Sequence, residues 1–218
     1  MEAITLLTLL NFGISGGYSL QNLTPNFANN VDYSYRFDGG SGSDFALSCF
    51  MDLSQKLRGN VRLTLNNGSS EIYHWVRTSA LEEQTMDGFL NHNTLGIVLM
   101  PEMHHGESIE LFYGAGIYGG VLLNSGFTGT LTRKTRGQVQ QFNLVNEPDE
   151  SFNNVCSAFI LSAGLRGWVT SNIGISLTAD FMRFGQAKNL IFQDIGNITE
   201  LNFRAGVVFN FNAGENIE

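Results

Sequence analysis

Seven charged residues stand within stretches of alternating polar and apolar residues, where an unpaired charge would be costly. They are Asp52, Arg62, Glu102, Glu110, Arg166, Asp180 and Arg204. Three cations and four anions that share one enclosed face could neutralise one another as a ladder of ion pairs. A narrow path for protons or ions is the alternative, and we favour the structural network of polar groups.

The histidine and serine residues offer little that resembles catalysis or metal binding. An activated serine needs a base within hydrogen-bond reach, but no spacing ties His74, His92 and Ser125 together. The adjacent His104 and His105 would point to opposite sides of an extended chain. His74 and His92 stand near Glu71, Glu82, Glu83 and Asp87, which could form a cation site, although a solvated acidic loop is the simpler interpretation. The sequence therefore predicts no catalytic residue, no metal and no cofactor.

The two cysteines, Cys49 and Cys156, are far apart, and each lies inside an apolar stretch. Free cysteine is among the most frequently buried residue types, so we expect two packed, unpaired thiols. A disulfide would require both residues on neighbouring strands that face the same way, and the sequence leaves this alternative open.

The elements that would position these residues are strands, because period-2 alternation recurs along the chain. The clearest run covers residues 201–212, where an apolar and aromatic face alternates with a polar or small one. Eight such runs have about the length of a tilted strand that crosses a bilayer. Short connections alternate with long loops, which lie at roughly residues 24–43, 67–92, 125–154 and 186–199. Short turns at one end and long loops at the other are typical of an outer-membrane barrel.

The composition excludes several classes of protein. Charged residues make up 15% of the chain, the net charge is -8, and no apolar run reaches the length of a membrane helix. The mean hydropathy is -0.02. These values argue against a helical membrane protein, a nucleic-acid binder and a disordered chain.

The composition of the polar face decides between a membrane barrel and a soluble, lipocalin-like barrel. A surface that meets water would carry many Lys and Glu residues, whereas the only lysines are Lys56, Lys134 and Lys188, in predicted turns or loops. Gly, Ser, Asn and Thr dominate the polar face and suit the crowded interior of an eight-stranded barrel. We therefore expect the apolar face to point outward into lipid. Aromatic residues near strand ends fit the girdles of such a barrel.

Three segments, residues 11–17, 112–120 and 203–211, have the glycine-rich and aromatic alternation of a known group. The chain resembles the small eight-stranded outer-membrane β-barrel proteins of the OmpX/OmpW type and the PorT-like group. The resemblance implies an all-β, transmembrane, up-and-down antiparallel barrel in the outer membrane of a Gram-negative bacterium, with both termini in the periplasm. Such barrels usually end on an aromatic residue, whereas here residues 212–218 follow Phe211, so that assembly signal is internal or altered.

The predicted organisation is an N-terminal segment (1–10), one barrel domain (11–212) and a C-terminal tail (213–218). No Lys or Arg precedes Arg36, so we expect a mature chain that has lost its export signal. The run from Ile4 to Leu10 either extends the first strand or packs against another protein.

The resemblance implies a non-enzymatic function, as a structural or accessory subunit of an outer-membrane assembly or secretion complex. Two alternatives are an autonomous barrel whose extracellular loops bind a ligand or surface, and a lipid-modifying enzyme. The expected partners are outer-membrane lipid, lipopolysaccharide and other outer-membrane subunits, without nucleic acid. The third loop carries Arg133, Lys134 and Arg136, which predicts a projecting hairpin with a basic edge near anionic lipopolysaccharide.

Overall fold

A computed structural model describes residues 10–24, 32–148, 155–184 and 197–211. This part of the chain forms nine antiparallel strands: β1 (Leu10–Thr24), β2 (Tyr33–Asp52), β3 (Leu57–Ser79), β4 (Glu82–His105), β5 (Ile109–Thr135), β6 (Gln138–Pro148), β7 (Val155–Trp168), β8 (Ile173–Phe184) and β9 (Asn197–Asn210). No helix among these residues is long and apolar enough to cross a membrane. Most of the predicted N-terminal segment and all of the predicted C-terminal tail lie outside the described residues.

Eight of the strands close into a ring. From β1 to β5, each strand pairs with the next one in the chain. β5 also pairs with β7, so that β6 is left outside the ring, and β7, β8 and β9 pair in order. The ring closes where β1 pairs with β9 over fourteen residue pairs. Closure gives every strand two neighbours, so the ring has no open edge. The predicted eight-stranded antiparallel barrel is therefore confirmed.

The side chains alternate between the interior and the exterior as the sequence predicted. In β3, Arg62 and Thr64 are buried, while the alternating Leu63 and Leu65 are more than two-fifths exposed. An exterior of exposed Leu, Ile, Val and Phe would be unfavourable in water but is the surface that lipid requires. The apolar face therefore points outward, and a soluble barrel with an apolar interior is excluded.

The two ends of the barrel differ. At one end the strands are joined by the short connections 53–56, 106–108 and 169–172, which marks the periplasmic end. The predicted second loop, residues 67–92, is wrong: β3 and β4 continue through it and are joined by a tight turn at Ala80 and Leu81. The alternation persists there, but the outer residues become polar because this part rises above the lipid.

Five strand segments form an extension above the ring, which we call the projecting sheet: residues 33–37, 70–79, 82–92, 125–135 and 138–148. The segment of β5 alone extends about 35 Å along the strand, at roughly 3.3 Å per residue. Ile72, Leu90 and Phe127 form a buried cluster on its inner face. This cluster fixes the strands against one another, so the predicted projecting hairpin is part of a larger sheet.

The lipid exposure of the outer face can be tested by introducing an arginine either within the ring or at the tip of the projecting sheet. Replacing Leu63, which is 42% exposed at the middle of the ring, with Arg should reduce the free energy of unfolding in lipid vesicles by about 2–4 kcal/mol. Leu81→Arg is the matched control, because Leu81 is 61% exposed but lies in the turn at the tip of the sheet. The free energy of unfolding of each variant is measured by urea titration, with the heat-sensitive shift in gel migration as the readout of the folded fraction. Equal effects at the two sites would contradict the lipid-facing assignment.

Candidate functional site

The periplasmic third of the barrel interior is organised around Arg166. Its guanidinium lies over the rings of Phe50 and Phe112, at 4.7 and 5.0 Å from the ring centroids. Its Nη1 donates to Glu110 Oε2 at 3.0 Å, and its Nη2 lies 4.0 Å from Glu102 Oε2. The cation is therefore held by aromatic faces and by two carboxylates in a buried site.

Arg58 extends this cluster to the barrel rim. It donates to Glu110 Oε2 at 3.1 Å and to Asp52 Oδ1 at 2.6 Å. Trp168 Nε1 donates to the other oxygen of Glu110 at 2.8 Å. Glu110 thus accepts hydrogen bonds from Arg58, Arg166 and Trp168, which compensates its removal from water.

The middle of the interior holds two arginines and two aspartates that share partners. Arg204 pairs with both Asp44 and Asp180, and Arg62 also pairs with Asp180. All four side chains are nearly inaccessible to solvent. The Arg62–Asp180 pair joins β3 to β8, and the Arg204–Asp44 pair joins β9 to β2; these strands share no backbone pairing. The Arg204–Asp180 pair links the neighbouring strands β9 and β8.

The extracellular third is polar but is organised without an arginine among its described contacts. Glu200 accepts hydrogen bonds from Ser19 Oγ and Asn66 Nδ2, each at 3.0 Å, and lies 3.5 Å from Gln21 Nε2. Gln21 also lies 3.1 Å from His92 Nε2. Neutral donors therefore surround this buried carboxylate, in contrast with the ion pairs below it.

The structure places six of the seven predicted interior residues in the buried network. They are Arg62, Glu102, Glu110, Arg166, Asp180 and Arg204. Asp52 lies at the rim instead: its side chain is 43% exposed, and its partner is Arg58. The strand ends there, so the alternation no longer decides how deep a side chain lies.

Three further charged residues, Asp44, Arg58 and Glu200, are missing from the predicted set. Asp44 shares the spacing of Asp52 along β2, and that signal could have identified it. Arg58 falls in the short connection 54–59 that the alternation predicts after the second run, and Glu200 borders the predicted loop 186–199, but β3 begins at Leu57 and β9 at Asn197. Among the described residues, the interior therefore buries four arginines and five carboxylates.

An apolar patch lies on the inner face of the strands that also carry Glu102, Glu110, Arg166 and Asp180. Its buried side chains come from β4, β5, β7 and β8: Val98, Met100, Tyr118, Ala158, Ile160 and Met182. A cavity of about 20 Å³, which is room for roughly one water molecule, lies among the charged residues Arg62, Glu102, Arg166 and Arg204. The described interior is thus filled by side chains.

The histidines do not assemble the cation site that the sequence left open. His74 lies on the inner face of the projecting sheet, whereas Glu71 and Asp87 occupy outward-facing positions in the same sheet. Within the described ranges, no group of His, Cys, Asp and Glu could hold a metal ion. His92 is the register partner of Ser125 across β4 and β5. The absence of a catalytic site stays a prediction.

Cys49 and Cys156 are unpaired thiols. They lie on β2 and β7, which are not neighbours in the ring. The disulfide that the sequence left open is therefore not formed.

The outer face of the projecting sheet carries two pairs of an arginine and an aromatic ring. The Arg36 guanidinium lies 5.7 Å from the Tyr73 ring centroid, and that of Arg77 lies 5.3 Å from the Trp75 centroid. Glu83 joins Arg77, at 3.4 Å, to the Lys134 ammonium, at 3.6 Å. Trp, Tyr and Arg are the residue types most enriched at binding hot spots.

His74 gives the sheet a titratable group within its packed inner face. Burial lowers the pKa of His74 to about 4, because the imidazolium would lose its hydration there. His74 is therefore neutral at physiological pH.

A shallow depression of about 640 Å³ lies on the lipid-facing wall of β1, β7, β8 and β9. Small residues form its floor, among them Gly16, Ala163, Ala179 and Ala205. Tyr18 and Phe203 stand at one side.

No protein-family model matches the sequence, and no curated protein matches it either. Solved structures do match the fold. Neisserial surface protein A is 11% identical with a TM-score of 0.51, over 92% of this chain and 96% of that one. OprG from Pseudomonas aeruginosa is 9% identical with a TM-score of 0.48, over 91% of this chain and 94% of that one. Ail, the attachment invasion locus protein of Yersinia pestis, is 10% identical with a TM-score of 0.39, over 91% and 97%. The likeness to Neisserial surface protein A shows the fold of a small outer-membrane barrel.

Removing the central arginine should leave two buried aspartates without their shared partner. We expect Arg204→Met to reduce the free energy of unfolding by about 3–5 kcal/mol, the usual cost of breaking a buried ion pair. Arg183→Met is the control, since Arg183 is exposed on β8. Urea unfolding in vesicles measures both, and a loss below about 1 kcal/mol for Arg204→Met would refute the central role of the network.

The filled interior predicts no large pore. Single-channel recordings of the purified protein in planar bilayers should show no stable openings in the nanosiemens range, because a cavity of about 20 Å³ admits no hydrated ion. A sixteen-stranded porin recorded in the same bilayers is the positive control. Stable nanosiemens openings would contradict a filled barrel.

His74 predicts a pH dependence confined to the projecting sheet. Its folded pKa of about 4 lies below the unfolded value of about 6.5, so the unfolded sheet binds more protons between these values. The stability of the sheet should therefore fall as the pH decreases from about 6.5 to about 4. Hydrogen-exchange protection factors for amides 70–79, corrected for intrinsic rates, measure this. His92, in segment 82–92 of the same sheet, also has its pKa lowered to about 4 by burial. His74→Gln should therefore remove part of the dependence and His74→Gln with His92→Gln most of it, and a profile unchanged by His74→Gln would exclude His74 as a source.

Proposed function

We propose that this barrel of the bacterial outer membrane is a binding protein, and that its projecting sheet attaches to a surface or ligand outside the cell. The observation that carries the proposal is the contrast between a filled interior and a large sheet held above the membrane. A filled interior offers no route for transport. The sheet, by comparison, presents its outer face and its edges to the outside.

The outer face of the projecting sheet supports a binding function through its composition. Tyr73 and Trp75 are half-buried, each beside an arginine, and polar residues continue the face across the neighbouring strands. These are Thr85, Thr130, Thr132, Gln141 and Asn143. Rigid aromatic rings next to hydrogen-bonding side chains can contact a partner without a large loss of conformational entropy.

The inner face of the sheet supports the same proposal because it keeps the strands in place. Ile72, Leu90 and Phe127 are at most 6% exposed, and Met86 and Leu144 pack against them. A prefolded surface pays little ordering entropy on binding. The function proposed is non-enzymatic, because a rigid face of aromatic and polar side chains supports contact with a partner.

A second candidate function is an accessory subunit of an outer-membrane assembly or secretion complex. The PorT-like resemblance of the sequence implies it, and the depression of about 640 Å³ in the lipid-facing wall favours it. Small residues allow a neighbouring barrel or helix to approach the wall closely. Purification in a mild detergent followed by mass spectrometry distinguishes the two: stoichiometric recovery with another membrane protein favours the subunit, and a lone monomer favours the autonomous barrel.

Attachment can be tested with the full chain in vesicles. Binding to cultured epithelial cells, immobilised matrix proteins and a glycan array should fall about tenfold or more when Tyr73 and Trp75 are both replaced by Ser, because hot-spot aromatics contribute most of the binding energy. Val169→Ser is the control, since Val169 is 66% exposed in a periplasmic turn. Equal binding by the double variant would exclude the outer face, and absence of binding to every target would overturn the proposal.

A further inference from the structure

Strand β6 forms an open edge of the projecting sheet. Among the described residues it pairs only with β5, and it stands at the end of the strand order. Every residue from Gln138 to Glu147 is exposed except Leu144, which is half-buried. Val139 and Val145 are 64% and 76% exposed. No other described element covers this edge.

The sequence of this edge lacks the usual protection against strand pairing. Residues 138–144 read Gln-Val-Gln-Gln-Phe-Asn-Leu and pair regularly with β5, from Gln138 opposite Thr135 to Leu144 opposite Gly129. They contain no charge, no proline and no glycine. Such a segment of about seven residues, with valine, phenylalanine and amides, is a strong template for an added strand.

The opposite edge of the same sheet is protected. There the outermost segment, residues 33–37 of β2, is short and carries Arg36. The register shifts between Phe37 and Gly40, which is an irregularity that bends a strand away from a partner. The β6 edge has its own register shift between Leu144 and Glu147 and ends at Pro148, so its unprotected part is residues 138–144. Along that part it has neither the charge nor the bulge of the opposite edge. This asymmetry points to a role for the β6 edge.

We propose that the β6 edge pairs antiparallel with the β6 edge of a second copy of this chain. The inference rests on the proposed function, because it names one partner for the same projecting sheet. Two uncharged edges can approach without repulsion, and the backbone groups of each then find partners in the other.

The charges at the two ends of β6 support a second copy in the antiparallel orientation. Lys134 and Arg136 lie at the upper end, beside Gln138. Glu83 pairs with Lys134 there, so Arg136 is the cation that this end offers to a partner. Glu147 lies at the lower end. In the sequence, Asp149 and Glu150 follow Glu147. Antiparallel pairing places the cationic end of one copy against the acidic end of the other, whereas parallel pairing places like charges side by side.

The orientation of β6 determines where the two copies lie. β6 runs from the tip of the sheet down toward its own membrane. The β6 strand of an antiparallel partner must therefore run in the opposite direction, away from that membrane. The partner's barrel is then embedded in a facing membrane. A contact of about seven residue pairs is weak by itself, but many copies on each membrane act together. The proposed contact therefore joins two membranes that both carry this protein.

A clustering assay with charge exchange tests the pairing. The full chain is inserted into phosphatidylcholine vesicles without lipopolysaccharide, with protease accessibility used to select preparations whose sheet faces outward. Energy transfer between donor-labelled and acceptor-labelled vesicles reports contact. Wild-type vesicles should cluster, and vesicles with Gln141→Lys and Asn143→Lys should cluster about tenfold less, because like charges would meet across the two edges.

The matching acidic variant makes the test specific. Vesicles with Gln141→Glu and Asn143→Glu should also fail to cluster alone, but should cluster with the lysine vesicles at nearly the wild-type rate. Thr78→Lys with Ser79→Lys is the control, since both residues are exposed at the turn between β3 and β4 and lie away from the β6 edge. Clustering of this control should be unchanged. Failure of the mixed vesicles to cluster would overturn β6 pairing.

Two further experiments test the antiparallel orientation of the two copies and distinguish failure of this inference from failure of the proposed function. With Gln141→Cys in a Cys49→Ser, Cys156→Ser background, oxidation should crosslink chains that carry different tags on different vesicles; crosslinks only within one vesicle would overturn the antiparallel arrangement. If wild-type vesicles attach to cells or matrix through Tyr73 and Trp75 but do not cluster, the homotypic inference fails and the proposed function stands. If they do neither, both fail.

Discussion

The constraint on which the structure depends is the absence of water in the bilayer. Every backbone N–H and C=O group within the lipid must find a partner in the chain, and an antiparallel sheet can satisfy this only by closing. The pairing of β1 with β9 achieves that closure. Closure then forces each strand to present one row of side chains to lipid and the other to the interior. The apolar exterior and the polar, crowded interior are two consequences of one requirement.

The interior shows how the chain manages the charges that this arrangement encloses. Arg166, Arg204 and their carboxylate partners join strands inside the barrel, and an apolar patch from β4, β5, β7 and β8 fills the space beside them. Breaking any buried pair leaves a charge without compensation, so the network selects one arrangement of the walls. The interior therefore acts as a rigid support, and contacts with other molecules are made by the exposed parts of the protein.

Above the lipid the requirement for closure no longer holds, because water can satisfy backbone groups. β3, β4 and β5 continue upward, β6 joins them, and the sheet ends in two edges. The edge near Arg36 has a charge and an irregular register, whereas the β6 edge has a regular, uncharged segment. The outer face, with Tyr73 and Trp75, and this edge are two separate surfaces on one rigid element, and each suits a different kind of contact.

The sequence by itself determined the fold class and the direction of most side chains, because period-2 alternation is local. It placed Arg62, Glu110 and Asp180 in the interior from spacing alone. It did not place the strand ends: Arg58 and Glu200 were missed and Asp52 was placed too deep, because beyond the lipid the outer face no longer has to be apolar. Nor could it pair Arg204 with Asp44, which are 160 positions apart. Only the tertiary structure decided those partners, since ring closure and register, and not local periodicity, bring distant strands together.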